Sequence, residues 1–236
     1  MAQRLSKRPV LCAVLDAPAL GATPYEYARG LFEAGVDWIQ LRDRSLPGES
    51  LLRLTRLLVE ARDEAIDDSR SLRTVDSSPT EVKRRVIVNR RVDIAFSAGA
   101  DGVHLGFDAM AEGDARQLLP ENAIVGHSFH SPQEVESHAK PIAAENRYAH
   151  LAPIWDPISK KASRPALGLD LLAKACALGL PILAQGGIDE ARAAEAVAAG
   201  VAGIAVTGTI SGARNPTAVA RQLRRALDQS FNQASK

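Results

Sequence analysis

The chain contains 236 residues, 46% of them hydrophobic and 24% charged, and its formal net charge is +1 at pH 7. These values are typical of a soluble globular protein with a large core, and the near-neutral charge argues against a nucleic-acid or membrane-surface partner. Two cysteines are too few for a disulfide framework. No apolar run reaches the ~18 residues of a membrane span, and the amino terminus has no apolar signal core. These features predict a cytoplasmic protein.

A repeated pattern along the chain combines a helix that ends in glycine with a short apolar strand directly after it. The segments EAGVDWIQLR (33–42), SAGADGVHLG (97–106) and AAGVAGIAVTG (198–208) align without gaps, and ENRYAHLAP (145–153) is a weaker copy. Glycine fits the left-handed conformation at a helix C-terminus. A mostly apolar strand is typical of a parallel sheet that is covered on both faces.

The remaining elements follow from the same patterns. Further strands are predicted at 9–16, 85–89, 123–128 and 181–185, and helices at 24–34, 49–65, 91–98, 109–118, 131–140, 168–178, 189–199 and 216–229. Ser131, Pro132 and Glu134 predict a capping box at the helix after the fifth strand. Eight strands alternating with eight helices predict a single (β/α)8 TIM barrel domain over residues 1–236. The alternative, an open doubly wound sheet, is weakened because no GxGxxG follows the first strand.

Two stretches do not fit this alternation. Residues 66–84 are polar and rich in serine and aspartate, which predicts an insertion between the second long helix and the third strand, on the face away from the usual active site. Residues 152–166 follow the sixth strand, contain two lysines, a tryptophan and three prolines, and are a candidate substrate lid on the catalytic face.

The ends of the seventh and eighth strands predict a phosphate site. These strands end in QGGI (185–188) and TGTISG (207–212), and loops at these positions of a TIM barrel often bind phosphate through backbone N–H groups. Gly186 and Gly187 would let the backbone approach closely, and Thr207 would add a hydroxyl donor, as would Thr209. The alternative is that the glycines only permit two tight turns.

Other strand ends supply charged groups and a possible proton carrier. Arg42, Arg44 and Lys160 predict a cationic mouth suited to an anionic substrate. His130 is the best candidate for general acid–base chemistry, because the usual pKa of imidazole, ~6.5, is close to physiological pH. Ser128, two residues earlier, would share its face if the strand continues that far. The alternative for His130 is a role in capping the following helix.

Metal-site patterns are weak in this sequence. It contains no HxH, HExxH or CxxC spacing. Only Asp43, Asp108 and Asp156 are placed to bind magnesium at the strand ends. His104, which lies between two apolar residues in the fourth strand, is expected to be a hydrogen-bonded core residue rather than a ligand.

Taken together, the strand-end motifs resemble those of a known family. The segments IQLRDR, VNRRVDIAFSAGADGVHLG, GHSFHSPQEV, LAPIWDPISKK, LAQGGI and GIAVTGTISGARNP are similar, in order and spacing, to the family that contains thiamine phosphate synthase and thiazole tautomerase. The resemblance covers residues 9–229 except 66–84 and implies a TIM barrel enzyme of thiamine biosynthesis. It implies a catalytic His130, substrate-binding Gln40, Arg42, Arg44, Asn89, Ser128 and Lys160, and phosphate-binding Gly186, Gly187, Thr207 and Gly208.

The chain departs from the synthase pattern at the magnesium site. Arg90 stands where the synthase has one metal-binding aspartate, Ala109 stands where it has the other, and Phe107 replaces a glutamine. The loss of both carboxylates favours the tautomerase branch, in which the imidazole of His130 moves a proton on a thiazole phosphate and no cofactor is needed.

Two alternatives stay open. The first is a divergent thiamine phosphate synthase, which joins an aminopyrimidine diphosphate to a thiazole phosphate; it would need Mg²⁺, and Arg90 or Asp108 would compensate for the missing ligands. The second is a regulator that binds thiazole phosphate without catalysis. In each case the expected partner is a small molecule, with neither nucleic acid nor membrane involved. Family members are often oligomeric, so a homo-oligomer is a further expectation.

Overall fold

Eight parallel strands form a closed barrel in which each strand pairs with the next and the last pairs with the first. The structure, a computed structural model, describes residues 8–71, 83–139, 146–156 and 164–234. The strands are β1 (Val10–Leu15), β2 (Trp38–Leu41), β3 (Arg85–Asn89), β4 (Gly102–Leu105), β5 (Ile124–Phe129), β6 (Arg147–Leu151), β7 (Ile182–Gln185) and β8 (Gly203–Val206). The predicted TIM barrel is therefore confirmed.

Helices cover the outside of this barrel. They are α1 (Ala17–Leu20), α2 (Pro24–Glu33), α3 (Gly48–Ser71), α4 (Val92–Ala98), α5 (Glu112–Leu118), α6 (Pro132–Ala139), α7 (Gly168–Cys176), α8 (Glu190–Ala198), α9 (Gly208–Ser211) and α10 (Pro216–Ala234). The two four-residue helices, α1 and α9, follow β1 and β8 and were not predicted. In the described part of the chain, no helix is both long enough and apolar enough to span a membrane.

The polar stretch that was expected to be an insertion begins as a helix. Helix α3 continues to Ser71, beyond the helix end predicted at residue 65. Residues 72–82 lie outside the described part of the chain, so the insertion itself stays a prediction. In this added part of α3, Asp68 pairs with Arg29 of α2 over 2.9 Å, next to a second contact of Arg29 with Glu64 (3.7 Å). The charge of Asp68 thus reflects an ion pair between two helices.

The capping box at α6 differs in one contact from the predicted one. The N–H of Glu134 donates to Oγ of Ser131 over 3.2 Å, as expected for a serine N-cap. The carboxylate of Glu134, however, accepts the N–H of His130 over 2.6 Å rather than that of Ser131. The cap therefore also fixes the backbone of His130.

The side chains of the strands separate into two apolar layers. Alternate residues of β1 show the division: Leu11 and Leu15 belong to the layer between strands and helices, whereas Cys12 packs inside the barrel. The interior cluster also contains Trp38 and Tyr148, whose rings meet edge to face with centroids 5.0 Å apart. The interior cluster fills the amino-terminal half of the barrel, and polar groups occupy the carboxyl-terminal end.

An ion network closes the amino-terminal end of the barrel. The buried carboxylate of Asp37 accepts hydrogen bonds from the N–H of Leu11 (2.8 Å), from Arg224 (2.9 Å) and from Arg8 (2.7 Å). Arg224 also donates to the carbonyl oxygen of Pro9 over 2.8 Å. Because these groups come from the start of β1, the start of β2 and α10, the network connects the two ends of the chain.

Candidate active site

Along each strand, the polar residues of the site occupy the next inward-facing positions after the apolar interior residues, toward the carboxyl end. Side chains two residues apart along a strand point to the same side of a sheet, so the inward series passes from Trp38 to Gln40 on β2 and from Ile87 to Asn89 on β3. The same succession brings His104, Ser128, His150, Gln185 and Thr207 to the carboxyl end of the barrel. Strand periodicity therefore collects polar groups on the face where TIM barrels carry their active sites.

These strand ends surround a cavity of about 1410 Å³. The predicted site residues that line it are Arg42, Arg44, Asn89, Ser128, His130, Gly186, Gly187, Thr207 and Gly208. Arg90 and Asp108, which the sequence suggests only as substitutes for the missing metal ligands, also line it, and so do Phe107, Arg164 and Gln185, for which no ligand-binding role is predicted. Lys160 lies outside the described residues, as do residues 157–163 of the predicted lid.

Gln40 lies beneath this surface. Its side chain is buried and its Nε2 is 3.4 Å from Oδ1 of Asn89, which does line the cavity. The lining formed by the described residues does not include Gln40. The structure thus places Gln40 where it orients Asn89, and direct substrate binding by Gln40 stays a prediction.

A row of hydrogen bonds runs from the barrel interior to Ser128. His104 Nε2 lies 2.8 Å from Oγ of Ser128, and His104 Nδ1 lies 3.1 Å from the hydroxyl of Tyr148. The ring of Tyr148 fits because residue 126 is glycine, whose missing Cβ would overlap that ring. Burial lowers the pKa of His104 well below its usual value and raises that of Tyr148, so both groups are neutral at pH 7. The prediction of a hydrogen-bonded core histidine is confirmed, whereas its link to Ser128 was missed.

The orientation of His130 leaves one ring nitrogen for a ligand. Its Nδ1 lies 2.6 Å from the carbonyl oxygen of Ala152. A carbonyl oxygen can only accept, so Nδ1 carries the hydrogen, and in the neutral imidazole Nε2 is then an acceptor. His130 lines the cavity. In this tautomer, its Nε2 can accept a proton or a hydrogen bond from a bound ligand.

The two turns predicted to bind phosphate lie on the same side of the cavity. Gly186 and Gly187 have φ angles of +99° and +64°, which favour glycine. A Cβ at either position would also collide with the loop after β6: that of Gly186 would lie 2.9 Å from Pro153, and that of Gly187 would overlap the carbonyl oxygen of Asp156. The turn and packing requirements therefore explain both glycines by themselves, and phosphate binding stays a prediction.

The hydroxyl of Thr209 has a structural role. It donates to the carbonyl oxygen of Ile188 over 2.7 Å and so ties the loop after β8 to the loop after β7. A hydroxyl has a single hydrogen to donate. Thr209 therefore cannot donate to a phosphate while this bond exists, which leaves Thr207 as the hydroxyl available for that role.

Arginine side chains give the part of the cavity after β2 and β3 a positive charge. Arg42, Arg44 and Arg90 line it together, and Arg90 Nη2 lies 2.9 Å from Oδ2 of Asp108. Burial lowers the pKa of Arg42, and the nearby charges of Arg44 and Arg90 lower it further, whereas Asp16 opposes this effect. The predicted cationic mouth thus has a further member, Arg90.

The carboxylates considered for magnesium do not form a metal site. Asp43 accepts N–H groups from Ser45, Leu46 and Ala17; burial would raise the pKa of Asp43, but these hydrogen bonds outweigh it and hold the pKa at about 2. Asp108 is paired with Arg90. Across the described ranges, no group of three or more histidine, cysteine, aspartate or glutamate residues could hold a metal ion. Asp43 and Asp108 are therefore already engaged by backbone N–H groups and by Arg90, and as they stand they do not fit Mg²⁺.

Comparison with known proteins assigns the family. A family model described as thiamine monophosphate synthase matches residues 11–210. The chain belongs to the thiamine monophosphate synthase family. The match covers all eight strands except the first residue of β1, so the strand ends that form the cavity all lie within the family region.

Individual members of the thiamine monophosphate synthase family resemble the chain over most of its length. A thiamine-phosphate synthase of Mycobacterium bovis is 37% identical over 225 residues, which cover 94% of this chain and 95% of the relative. One of Methanoculleus marisnigri is 36% identical over 205 residues, covering 86% and 88%. A solved thiamine phosphate pyrophosphorylase of Pyrococcus furiosus superimposes with a TM-score of 0.75 at 25% identity, covering 94% of this chain and 97% of that one. These names favour the synthase alternative over the tautomerase interpretation that the sequence analysis placed first.

Proposed function

We propose that this protein is a thiamine phosphate synthase. In this reaction a thiazole phosphate and an aminopyrimidine diphosphate combine to give thiamine phosphate and pyrophosphate. The observation that carries the proposal is the 37% identity to a named synthase over 94% of the chain. It is supported by a cavity whose lining includes most residues that the resemblance implies for the site.

The thiazole phosphate is assigned to the loops after β7 and β8. Gly186 and Gly187 expose backbone beside the cavity, and Thr207 and Gly208 line it from the neighbouring strand end. Backbone N–H groups and a hydroxyl are suitable donors for a phosphate. This placement holds the thiazole ring toward the centre of the cavity, where its ring nitrogen can reach the pyrimidine.

The aminopyrimidine diphosphate is assigned to the strand ends of β2 and β3. Arg42, Arg44 and Arg90 supply positive charge for the diphosphate, since guanidinium groups bind phosphate oxygens through paired hydrogen bonds. Asn89 and Ser128 also line the cavity and offer amide and hydroxyl groups to the pyrimidine ring. The two substrates therefore meet with their anionic ends apart, which limits repulsion between them.

In this proposal His130 assists bond formation through Nε2. As the bond from the methylene carbon to the diphosphate breaks, positive charge spreads to the pyrimidine amino group, whose N–H becomes more acidic. A neutral imidazole nitrogen with a free lone pair can take that proton and return it to the amino nitrogen once the new carbon–nitrogen bond has formed. The contact between Nδ1 and the carbonyl of Ala152 keeps Nε2 in the required acceptor form.

Product analysis tests the function. The purified protein is incubated with both substrates, with and without Mg²⁺, and thiamine phosphate and pyrophosphate are quantified. Equal amounts of the two products are expected. We expect His130→Ala to lower kcat by about a hundredfold, the lower range for general acid–base catalysis. Isomerisation of a thiazole phosphate without any thiamine phosphate would instead establish the tautomerase function.

A further inference from the structure

We propose that the site binds the diphosphate of its substrate without a divalent metal, and that the guanidinium of Arg90, held by Asp108, takes the place of the cation. This inference rests on the proposed synthase function. It concerns the point at which the chain departs from the synthase pattern, where an arginine and an alanine replace the two metal-binding carboxylates. A positive side chain there cannot bind a metal, but it can neutralise the same anion.

The surroundings of Arg90 fix its head group at the edge of the cavity. Its backbone N–H donates to the carbonyl oxygen of His104 on β4 over 2.9 Å. Its Nη2 lies 2.9 Å from Oδ2 of Asp108 and 3.4 Å from the carbonyl oxygen of Asp108. Both side chains line the cavity. A guanidinium has five N–H donors, so these contacts at one nitrogen leave the other donors for a ligand.

The charge distribution favours an anion and disfavours a divalent cation. Arg42 and Arg44 line the cavity beside Arg90, and the positive charges of Arg44 and Arg90 both help to lower the pKa of Arg42, after its burial. Asp16, which also lines the cavity, opposes this effect on Arg42. A metal ion at Asp108 would have to displace Arg90 and would meet the repulsion of all three guanidiniums.

The chemical step needs no further reactant. The bond between the methylene carbon and the diphosphate oxygen breaks, and its electron pair stays on the diphosphate. The lone pair of the thiazole nitrogen forms the new bond to the methylene carbon. Negative charge grows on the departing diphosphate, and charge-assisted hydrogen bonds from Arg90 and its neighbours stabilise that charge as it forms. Pyrophosphate then leaves together with its electron pair.

Calorimetric titration with inorganic pyrophosphate, in buffer containing a metal chelator, tests this site directly. Arg90→Asn removes the guanidinium, and asparagine tolerates the positive φ of 68° at this position. Arg91→Gln is the matched control, because Arg91 pairs with the exposed Asp93 (2.8 Å) and is absent from the cavity lining formed by the described residues. Arg90→Lys restores the charge without the planar head group. Thermal unfolding of each variant verifies that it is folded.

We expect the unmodified protein and Arg91→Gln to bind pyrophosphate equally without metal, and Arg90→Asn to bind roughly tenfold or more weakly. Arg90→Lys should fall between these values. Binding that appears only after Mg²⁺ is added, or equal binding by Arg90→Asn, would overturn the inference.

Product formation separates this inference from the synthase function. Should thiamine phosphate form only with Mg²⁺, this inference fails and the synthase function stands. Metal-free binding that depends on Arg90, with no thiamine phosphate under any condition, would support this anion site and refute the synthase function.

Discussion

The stability contributed by Glu112 can be predicted from its contacts. Glu112, at the start of α5, lies 2.9 Å from His127, 2.9 Å from Arg147 and 3.2 Å from Arg116. Burial would raise its pKa, but the hydrogen bond from His127 and the charges of Arg147 and Arg116 outweigh burial and lower the pKa from 4.5 to about 2. At about 1.4 kcal/mol per pH unit, this difference corresponds to about 3 kcal/mol of unfolding free energy.

The substitution Glu112→Gln keeps the shape and removes the charge. Because the Glu112 side chain is 18% exposed, water screens part of the interaction, and we expect a loss of about 2 kcal/mol at pH 7. A carboxylate with a lowered pKa stabilises the fold above its unfolded pKa and loses this effect as the pH falls. The difference between variant and unmodified protein should therefore shrink to about half or less by pH 3.

Urea unfolding at pH 7 and at pH 3, followed by circular dichroism, measures this difference. Glu60→Gln, at an exposed position of α3, is the matched control and should change the unfolding free energy by less than about 0.5 kcal/mol at either pH. If Glu112→Gln were no less stable than this control at pH 7, or if its deficit were the same at pH 3, the assignment of Glu112 as a partly buried, ion-paired carboxylate would be refuted.

Three further substitutions test other parts of the structure. Asp37→Ala should lower the unfolding free energy by about 3–5 kcal/mol, since it leaves the buried N–H of Leu11 without an acceptor and removes the buried partner of Arg224. Asp228→Asn, at the more exposed carboxylate that accepts from Arg224 over 2.6 Å, should cost under about 1 kcal/mol; similar urea midpoints for the two would contradict the ion network around Asp37. Ser128→Ala should cost about 1 kcal/mol and shift the ring nitrogen resonances of His104, because His104 Nε2 loses its partner; unchanged resonances would exclude that bond. Gly187→Ala should lose about 1 kcal/mol or more and weaken thiazole phosphate binding in calorimetry; unchanged affinity would remove that turn from the phosphate site.

Most of the fold follows from local patterns. Strand β3 was predicted with its observed limits at 85–89, and the other strands differ from their predictions by a few residues at most. The reason is that a short, fully covered parallel strand is apolar along its length and is bounded by glycine or polar residues. The end of α3 was missed because its charged residues are stabilised by contacts with α2, which local polarity does not reveal.

The candidate site was predicted less completely. Position at a strand end identified most of the residues that line the cavity, since the carboxyl ends of the strands meet in any TIM barrel. It did not distinguish a residue that faces the cavity from one beneath it, such as Gln40, or a hydroxyl already used by a carbonyl, such as that of Thr209. Those distinctions depend on distances of a few ångströms between different loops.

The sequence by itself determined the alternation of strands and helices, the barrel, the family resemblance and the loss of the two metal-binding carboxylates. Only the tertiary structure decided which charges meet: Arg90 with Asp108, 18 positions apart, and Asp37 with Arg224, 187 positions apart. The physical reason is that periodicity and turn chemistry act over a few residues, whereas ion pairing depends on which loops and helix ends the closed barrel brings together.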